Sequence, residues 1–474
     1  MPETPSPLRR WLRALDLDRF DLIIGAVVLV LIAAIAGVVL AGDQIGVTVA
    51  EDGYGPTGVV GGAQSVRVRF SDEMAADSVE ARFRIEPPIA GDFTWIGRRT
   101  LIFTPRQPFA AGQTYTVTIE RGAQAARRDA RLKDDLTWSF DVRLPRAVFL
   151  APSDAYQRNV FMADLQTGDI LQLTTAEHGV EDYAVSPDGG QIAYSRNNPD
   201  GTADIWVRDL LNDADRPLTQ CIDALCHAPA WKPDGTQIAY QREDYGAGLD
   251  AGIGPSRVWI VDLATLDTRL LFDDAQILGV EPIWSPDGRR IAVFDASIPG
   301  IRIHDYDANT DVVIETAQGV VGQFSPDGTR LVYPVLVRGL IGQEFYTRLE
   351  MADLDTLSRR SISGDEDAPV EDSSAAWSPD GTRLVIARRY LDGRFTAGKQ
   401  IYLLDPDTGQ AEPLVVDPAY NHSAMHWDAS GRRIVFQRFL LDAPEAQPEI
   451  WTVDVETREI AQIAENAYLP AWVP

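Results

Sequence analysis

The sequence predicts an all-β protein: a seven-bladed β-propeller, with six blades as the alternative count, preceded by a β-sandwich and one transmembrane helix. Three observations carry this expectation. Between residues 186 and 431 a Ser-Pro-Asp-Gly-like turn followed by a short alternating strand is written six times, and Val473-Pro474 begins a further copy. Residues 63–143 hold short alternating strands separated by turns. Leu22 to Ala41 is an apolar run without a single charge.

Residues 1–21 carry Arg9, Arg10, Arg13 and Arg19, whereas no Lys or Arg follows the apolar run until Arg67. As a helix, residues 22–41 would span about 30 Å, the thickness of a bilayer core. The charge asymmetry places the N-terminal segment in the cytoplasm and the remainder outside it, with the protein held in the cytoplasmic membrane by a single pass. The competing reading is a cleaved signal peptide ending at Val39-Leu40-Ala41, but the apolar stretch exceeds the usual length of about 7–15 residues. Residues 42–62 are Gly-rich and weakly patterned, and read as a stalk.

From 63 to 143, with 46 as the wider start, Ser65-Val-Arg-Val-Arg-Phe-Ser, Ala81-Arg-Phe-Arg-Ile, Thr100-Leu-Ile-Phe-Thr-Pro, Thr114-Tyr-Thr-Val-Thr-Ile and Thr137-Trp-Ser-Phe-Asp-Val alternate as half-buried strands. Phe70-Ser-Asp-Glu-Met, Gly112-Gln-Thr-Tyr-Thr-Val and Trp138-Ser-Phe within this stretch resemble the bacterial Ig-like domains of envelope proteins. That resemblance implies a spacer or adhesive module without chemistry. Leu144-Pro-Arg146 reads as a short stiff linker.

In the region 147–474 the repeats open at Ser186, Lys232, Ser285, Ser325, Ser378 and Asp428. Their second residues, followed by Pro474, are spaced by 46, 53, 40, 53, 50 and 45 positions, a period that matches one four-stranded unit. Asp-Gly supplies the positive φ of a tight hairpin, and an aromatic residue precedes every copy except the first, which has Val185. Those aromatic residues read as wedges between blades, and each motif Asp as a turn residue. Ala147-Val-Phe-Leu, Asn159-Val-Phe-Met-Ala-Asp and Ile170-Leu-Gln-Leu-Thr supply three strands of a unit whose missing first strand is Leu469-Pro-Ala-Trp-Val. Closing the ring with that composite unit removes exposed sheet edges. The repeats SPDGGQIAY, SPDGTRLVI and their sisters resemble the TolB-like family of Pro-Asp propellers. The resemblance implies the fold; its members bind proteins or sugars, or serve as gating domains of peptidases.

A net charge of −27 excludes a basic stripe for nucleic acid. Cys221 and Cys226 lie five apart, a plausible bridge in an oxidising compartment; a zinc site would need a second ligand pair. The sequence holds no Gly-x-Ser-x-Gly, His-Glu-x-x-His, Walker or dinucleotide motif, and has five histidines. Asp305-Tyr-Asp-Ala-Asn-Thr-Asp311 alternates oxygen side chains as a calcium loop does but has Thr310 where that loop needs Gly, which favours a hairpin turn. The residues entering each first strand face the channel in such a fold. They are Glu181, Asp182, His227, Glu281, Asn421 and His422, with Ser373, Ser374 and Tyr468 beside them. Such a ring suits a polar ligand or a channel cation, and the plainer reading is a hydrated channel mouth. Two inserted loops, 243–256 and 336–347, are Gly-rich and apolar enough to suggest partner contact. The expectation from sequence is therefore a non-catalytic, membrane-anchored scaffold that needs no cofactor and binds an envelope protein or cell-wall polymer. The alternative is an extracytoplasmic sensor or enzyme with its site at the channel.

Overall fold

The computed structural model describes residues 19–42, 46–62, 64–106, 108–246, 252–274, 276–339, 345–365, 368–443 and 445–474. The chain forms two compact units, the second of which includes Val142–Pro474. The expected N-terminal segment up to residue 18 lies outside the described residues.

A helix runs from Arg19 to Gly42, with side chains described over 23–35 and all of them exposed. Among the described residues no helix is long and apolar enough to cross a membrane. The span expected over 22–41 reaches beyond those side chains at both ends.

The first unit is a sandwich of two antiparallel sheets. One orders Val49–Gly55, Val66–Phe70, Thr100–Pro105 and Gly91–Ile96; the other orders Gly58–Val60, Leu136–Val142, Thr114–Ile119 and Phe83–Glu86. Alternation puts Val66, Val68 and Phe70 inside and Arg67 and Arg69 outside. Phe83 and Phe103 stack between the sheets at 5.1 Å. Residues 49–60, which fall in the stalk on the narrower reading and in the sandwich on the wider one that begins at 46, supply two strands of the sandwich. The strand signal is weak there because the pairing of Val49–Gly55 shifts register between Val49 and Tyr54, and Gly53 occupies the irregularity, where a Cβ would lie 3.0 Å from Ala50 O.

The second unit is a β-propeller of four-stranded antiparallel sheets. In sequence order their innermost strands are Val180–Val185, Ala224–Trp231, Gly279–Trp284, Gln323–Phe324, Val370–Trp377, Tyr420–Trp427 and Tyr468–Val473. Tyr468–Val473 pairs with Arg146–Ala151, which continues into Asn159–Asp164 and Ile170–Gln172, so one sheet joins the two ends of the unit. The two sheets that begin at Val180 and Ala224 are linked by a parallel bridge between Ala203 and Leu225. Cys221 and Cys226, in the segment entering the second of them, are joined by a disulfide with Cα atoms 6.3 Å apart. The inserted loops lie partly outside the described residues, which resume at 252 and 345.

The repeat turns are built from their own side chains. Ser186, Ser285, Ser325 and Ser378 each donate from Oγ to the Asp two residues on, at 2.5–2.6 Å, and each Oγ accepts the backbone N–H five residues on. The Gly that follows has φ between 67 and 71° in all six copies. Asp305 accepts from the N–H groups of Asp307 and Ala308, a turn repeated by Asp262, Asp405 and Asp454, so the calcium-like stretch is a hairpin.

The aromatic residues wedge the sheets together. Trp231, Trp284, Trp427 and Trp472 each donate their indole N–H to a backbone carbonyl of the preceding sheet, at 3.1, 3.2, 3.0 and 2.9 Å. The Arg that ends four repeats has a role the sequence pattern did not reveal. Arg196, Arg242, Arg388 and Arg438 lie over Trp206, Trp259, Tyr402 and Trp451 on the neighbouring strand. Arg388 also grips Asp372 through two 2.6 Å hydrogen bonds in a pair that is almost wholly buried. Removing one partner strands the other charge, so Asp372→Ala is expected to destabilise the protein by about 3–5 kcal/mol, measured by chemical denaturation.

Candidate functional site

Each candidate residue sits where an innermost strand enters its sheet, and there the strand is interrupted. The pairing of these strands shifts register at 180–183, 227–230, 280–283, 373–376, 423–426 and 468–471. Ala228, Glu281, Ser374, Ala424 and Leu469 take positive φ of 47–52° within these bulges. A bulge withdraws one N–H from the ladder, and a side chain of the preceding sheet captures it. Gln241 Oε1 accepts from Glu281 N at 2.8 Å, Gln437 Oε1 from Leu469 N at 3.0 Å, and Asp182 Oδ2 from Ala228 N at 2.6 Å. Only the last of these acceptors is a carboxylate, and it stands beside a histidine.

Asp182 Oδ2 lies 3.8 Å from His227 Nδ1, and Glu243 Oε1 lies 3.6 Å from His227 Nε2. The three side chains are about one-quarter exposed. Burial lowers the His227 pKa, but Asp182 and Glu243 together outweigh it and hold the imidazole above its ordinary value. Asp182 Oδ1 is buried and has no hydrogen-bond partner among the described residues. The cluster therefore sets two carboxylates against one imidazole whose protonated form they favour, with one carboxylate oxygen bonded to no described residue. Glu243 was missed from sequence. It lies one pleat beyond Gln241, which pairs with His227 across the strands, so only the register reveals it.

The other candidates do not converge on this group. Glu181 is turned outward and bonded to Arg158 at 2.7 Å. Glu281 stands apart, its pKa raised by burial against a hydrogen bond from Val321. Asn421 Oδ1 accepts from Lys399 N, and His422 holds Lys399 O through both its backbone N and Nδ1 at 3.0 Å. Burial drives the His422 pKa down to about 4, so this ring is neutral and structural. Lys399 extends from that turn to Glu371 and Ser373, at 3.2 and 2.9 Å. Among the described residues no three His, Cys, Asp or Glu side chains form a group able to hold a metal ion. The ring expected from sequence is thus divided among the described residues into separate groups: Asp182 and His227 meet Glu243, while Ser373, Asn421 and His422 meet Lys399.

Residues 50–142 match the bacterial Ig-like domain family. Dipeptidyl-peptidase 5 of Porphyromonas gingivalis is 23% identical over 353 residues, which cover 65% of this chain and 51% of that protein. The peptidase YuxL of Bacillus subtilis is 26% identical over 232 residues, covering 48% of this chain and 31% of that protein. This chain thus spans about half or less of the curated relatives it matches. TolB from Acinetobacter baumannii is 14% identical, with a TM-score of 0.43 and 83% of each chain covered. The two curated relatives overturn the expectation of a non-catalytic scaffold: both are peptidases, a class that the missing nucleophile motif had argued against.

The carboxylates hold the His227 proton, so Asp182→Asn is expected to lower the His227 pKa. An NMR titration of the imidazole would show the midpoint moving to lower pH, and an unmoved midpoint would remove Asp182 from the site.

Proposed function

We propose that this chain is an extracytoplasmic protein of the peptidase class whose propeller receives the free amino terminus of a peptide at Asp182 and Glu243, beside His227. The observation that carries this reading is the placement of two part-exposed carboxylates, Asp182 and Glu243, on either side of one imidazole. An ammonium is the donor-rich cation such a site lacks. The peptidase class comes from the curated relatives. Protonation of His227 neutralises part of the same carboxylate charge. Ammonium and imidazolium compete for the same carboxylates, so binding strengthens as pH rises through the His227 pKa and fades once the amine itself loses its proton, at about pH 8.

The same proposal takes the ring to be seven-bladed, with the sheet joining Tyr468–Val473 to Arg146–Ala151 as the closing blade. It takes the helix Arg19–Gly42 as the membrane anchor. Support comes from the exposed apolar side chains of 23–35, the arginines at 9, 10, 13 and 19, and a disulfide suited to an oxidising compartment.

The test is binding of a dipeptide amide to the full chain, measured by calorimetry and compared with the same ligand acetylated at its amino terminus. Saturable binding of the free-amine ligand, loss of at least about tenfold on acetylation, and a similar loss in Asp182→Asn are expected, since one charge-assisted hydrogen bond is worth about 1.5–3 kcal/mol. Equal binding of both ligands, or binding of neither, would contradict the proposal.

A further inference from the structure

Three sheets further along the chain from His227, the entry of the innermost strand Val370–Trp377 carries a second charged group, with the signs reversed. Glu371 lies between two cations: Lys399 Nζ stands 3.2 Å from its Oε1, and Arg389 Nε donates to its Oε2 at 2.5 Å. At His227 one imidazole lies between two carboxylates; here one carboxylate is shared by a lysine and an arginine. Asp372 does not redress the balance, because Arg388 holds both its oxygens in the buried pair. Asp392, on the loop between Arg389 and Lys399, is likewise bonded to Arg394. Among the described residues Glu371 is the one carboxylate in ion-pair contact with either Lys399 or Arg389.

The fold holds both cations in place and leaves both accessible. Register sets Glu371 opposite Arg389. Lys399 directly precedes the strand Gln400–Leu404, and its backbone is fixed on one side by Asn421 and on the other by His422. From there its side chain crosses to Ser373 and donates to Oγ at 2.9 Å. Ser373 Oγ accepts from the lysine and keeps its own O–H to donate. Arg389 lies 5.8 Å from the Phe395 ring centre and donates to Ala397 O at 3.4 Å, which limits its freedom. The Lys399 and Arg389 side chains are 21% and 32% exposed against 10% for Glu371, so the cations meet solvent more than the carboxylate that joins them.

We infer that this strand entry is a subsite for a carboxylate of a peptide, either an acidic side chain or the carboxyl terminus, with Lys399 Nζ, Ser373 Oγ and the Arg389 guanidinium as donors. Two cations that share one carboxylate have charge and N–H groups left for a second. Calling the ligand a peptide rests on the function proposed above; the sign of the site does not.

The probes are three N-acetylated dipeptides titrated into the full chain by calorimetry at low ionic strength: alanyl-glutamate with an amidated terminus, alanyl-alanine with a free terminus, and uncharged alanyl-glutamine amide. At least one of the two acids is expected to bind saturably and about tenfold more tightly than the uncharged control. Which acid binds identifies the carboxylate as side chain or terminus. Lys399→Met is expected to abolish that preference, and Lys399→Arg to keep most of it. Glu371→Gln is expected to tighten binding of the acid, because the resident carboxylate that competes with it is gone. The comparison of charged with uncharged probes needs no substitution, so it remains decisive even where a variant folds poorly. Equal binding of acids and control, no saturable binding of either acid, or an undiminished preference in a well-folded Lys399→Met would overturn the assignment. None of the probes carries an amine, so the result is separate from the test of the amino-terminal site.

Discussion

The propeller depends on one pairing between distant parts of the chain. Tyr468–Val473 lies against Arg146–Ala151, with Trp472 opposite Ala147 and Val473 opposite Arg146. Without it both strands would present unpaired N–H and C=O groups, and two sheets would lose a neighbour. The pairing also seats Trp472, whose indole reaches His426 O in the adjoining sheet, and Tyr183, whose hydroxyl donates to Val148 O at 2.8 Å. One hydrogen-bonded edge thus carries the packing of the sheets on both sides of the seam.

The remaining sheets repeat a small set of interactions, and function enters where that set is altered. The repeat turn is held by Ser and Asp, the sheet interface by a Trp indole on a neighbouring carbonyl, and the entry of three innermost strands by a bulge capped from the sheet before it. Using Asp182 as a cap in place of Gln241 or Gln437 converts a neutral structural contact into an acidic one beside His227. The Asp182 cluster is a local departure from a repeat whose regular copies are explained by stability alone.

Much of the fold was readable from residues because the repeat writes its turns explicitly. Ser-Pro-Asp-Gly fixes where a hairpin must form, the alternation after it fixes which side chains are buried, and Trp472 marks the displaced strand by sharing its sisters' position. The strands at 49–60 show no alternation, since glycine and a register shift erase it, and only the Ig-like resemblance reached back to 46. The site was legible only in part. Asp182 and His227 were found by their place at the strand entry, but Glu243 enters through cross-strand register, and Glu181, Asn421 and His422 share that place without facing the same point. Position along a repeat gives the height of a residue on its blade. Which neighbours it meets depends on bulges that a single sequence does not display.

The closing strand offers the most direct test, by hydrogen exchange followed by mass spectrometry on the intact chain. If the pairing carries the ring, amides of 468–473 and 146–151 exchange together, as slowly as the innermost strands of the other sheets, and become exposed only in the global unfolding event. Exchange of 468–473 at the rate of a frayed terminus, with the other sheets still protected, would show a propeller whose stability does not rest on closure.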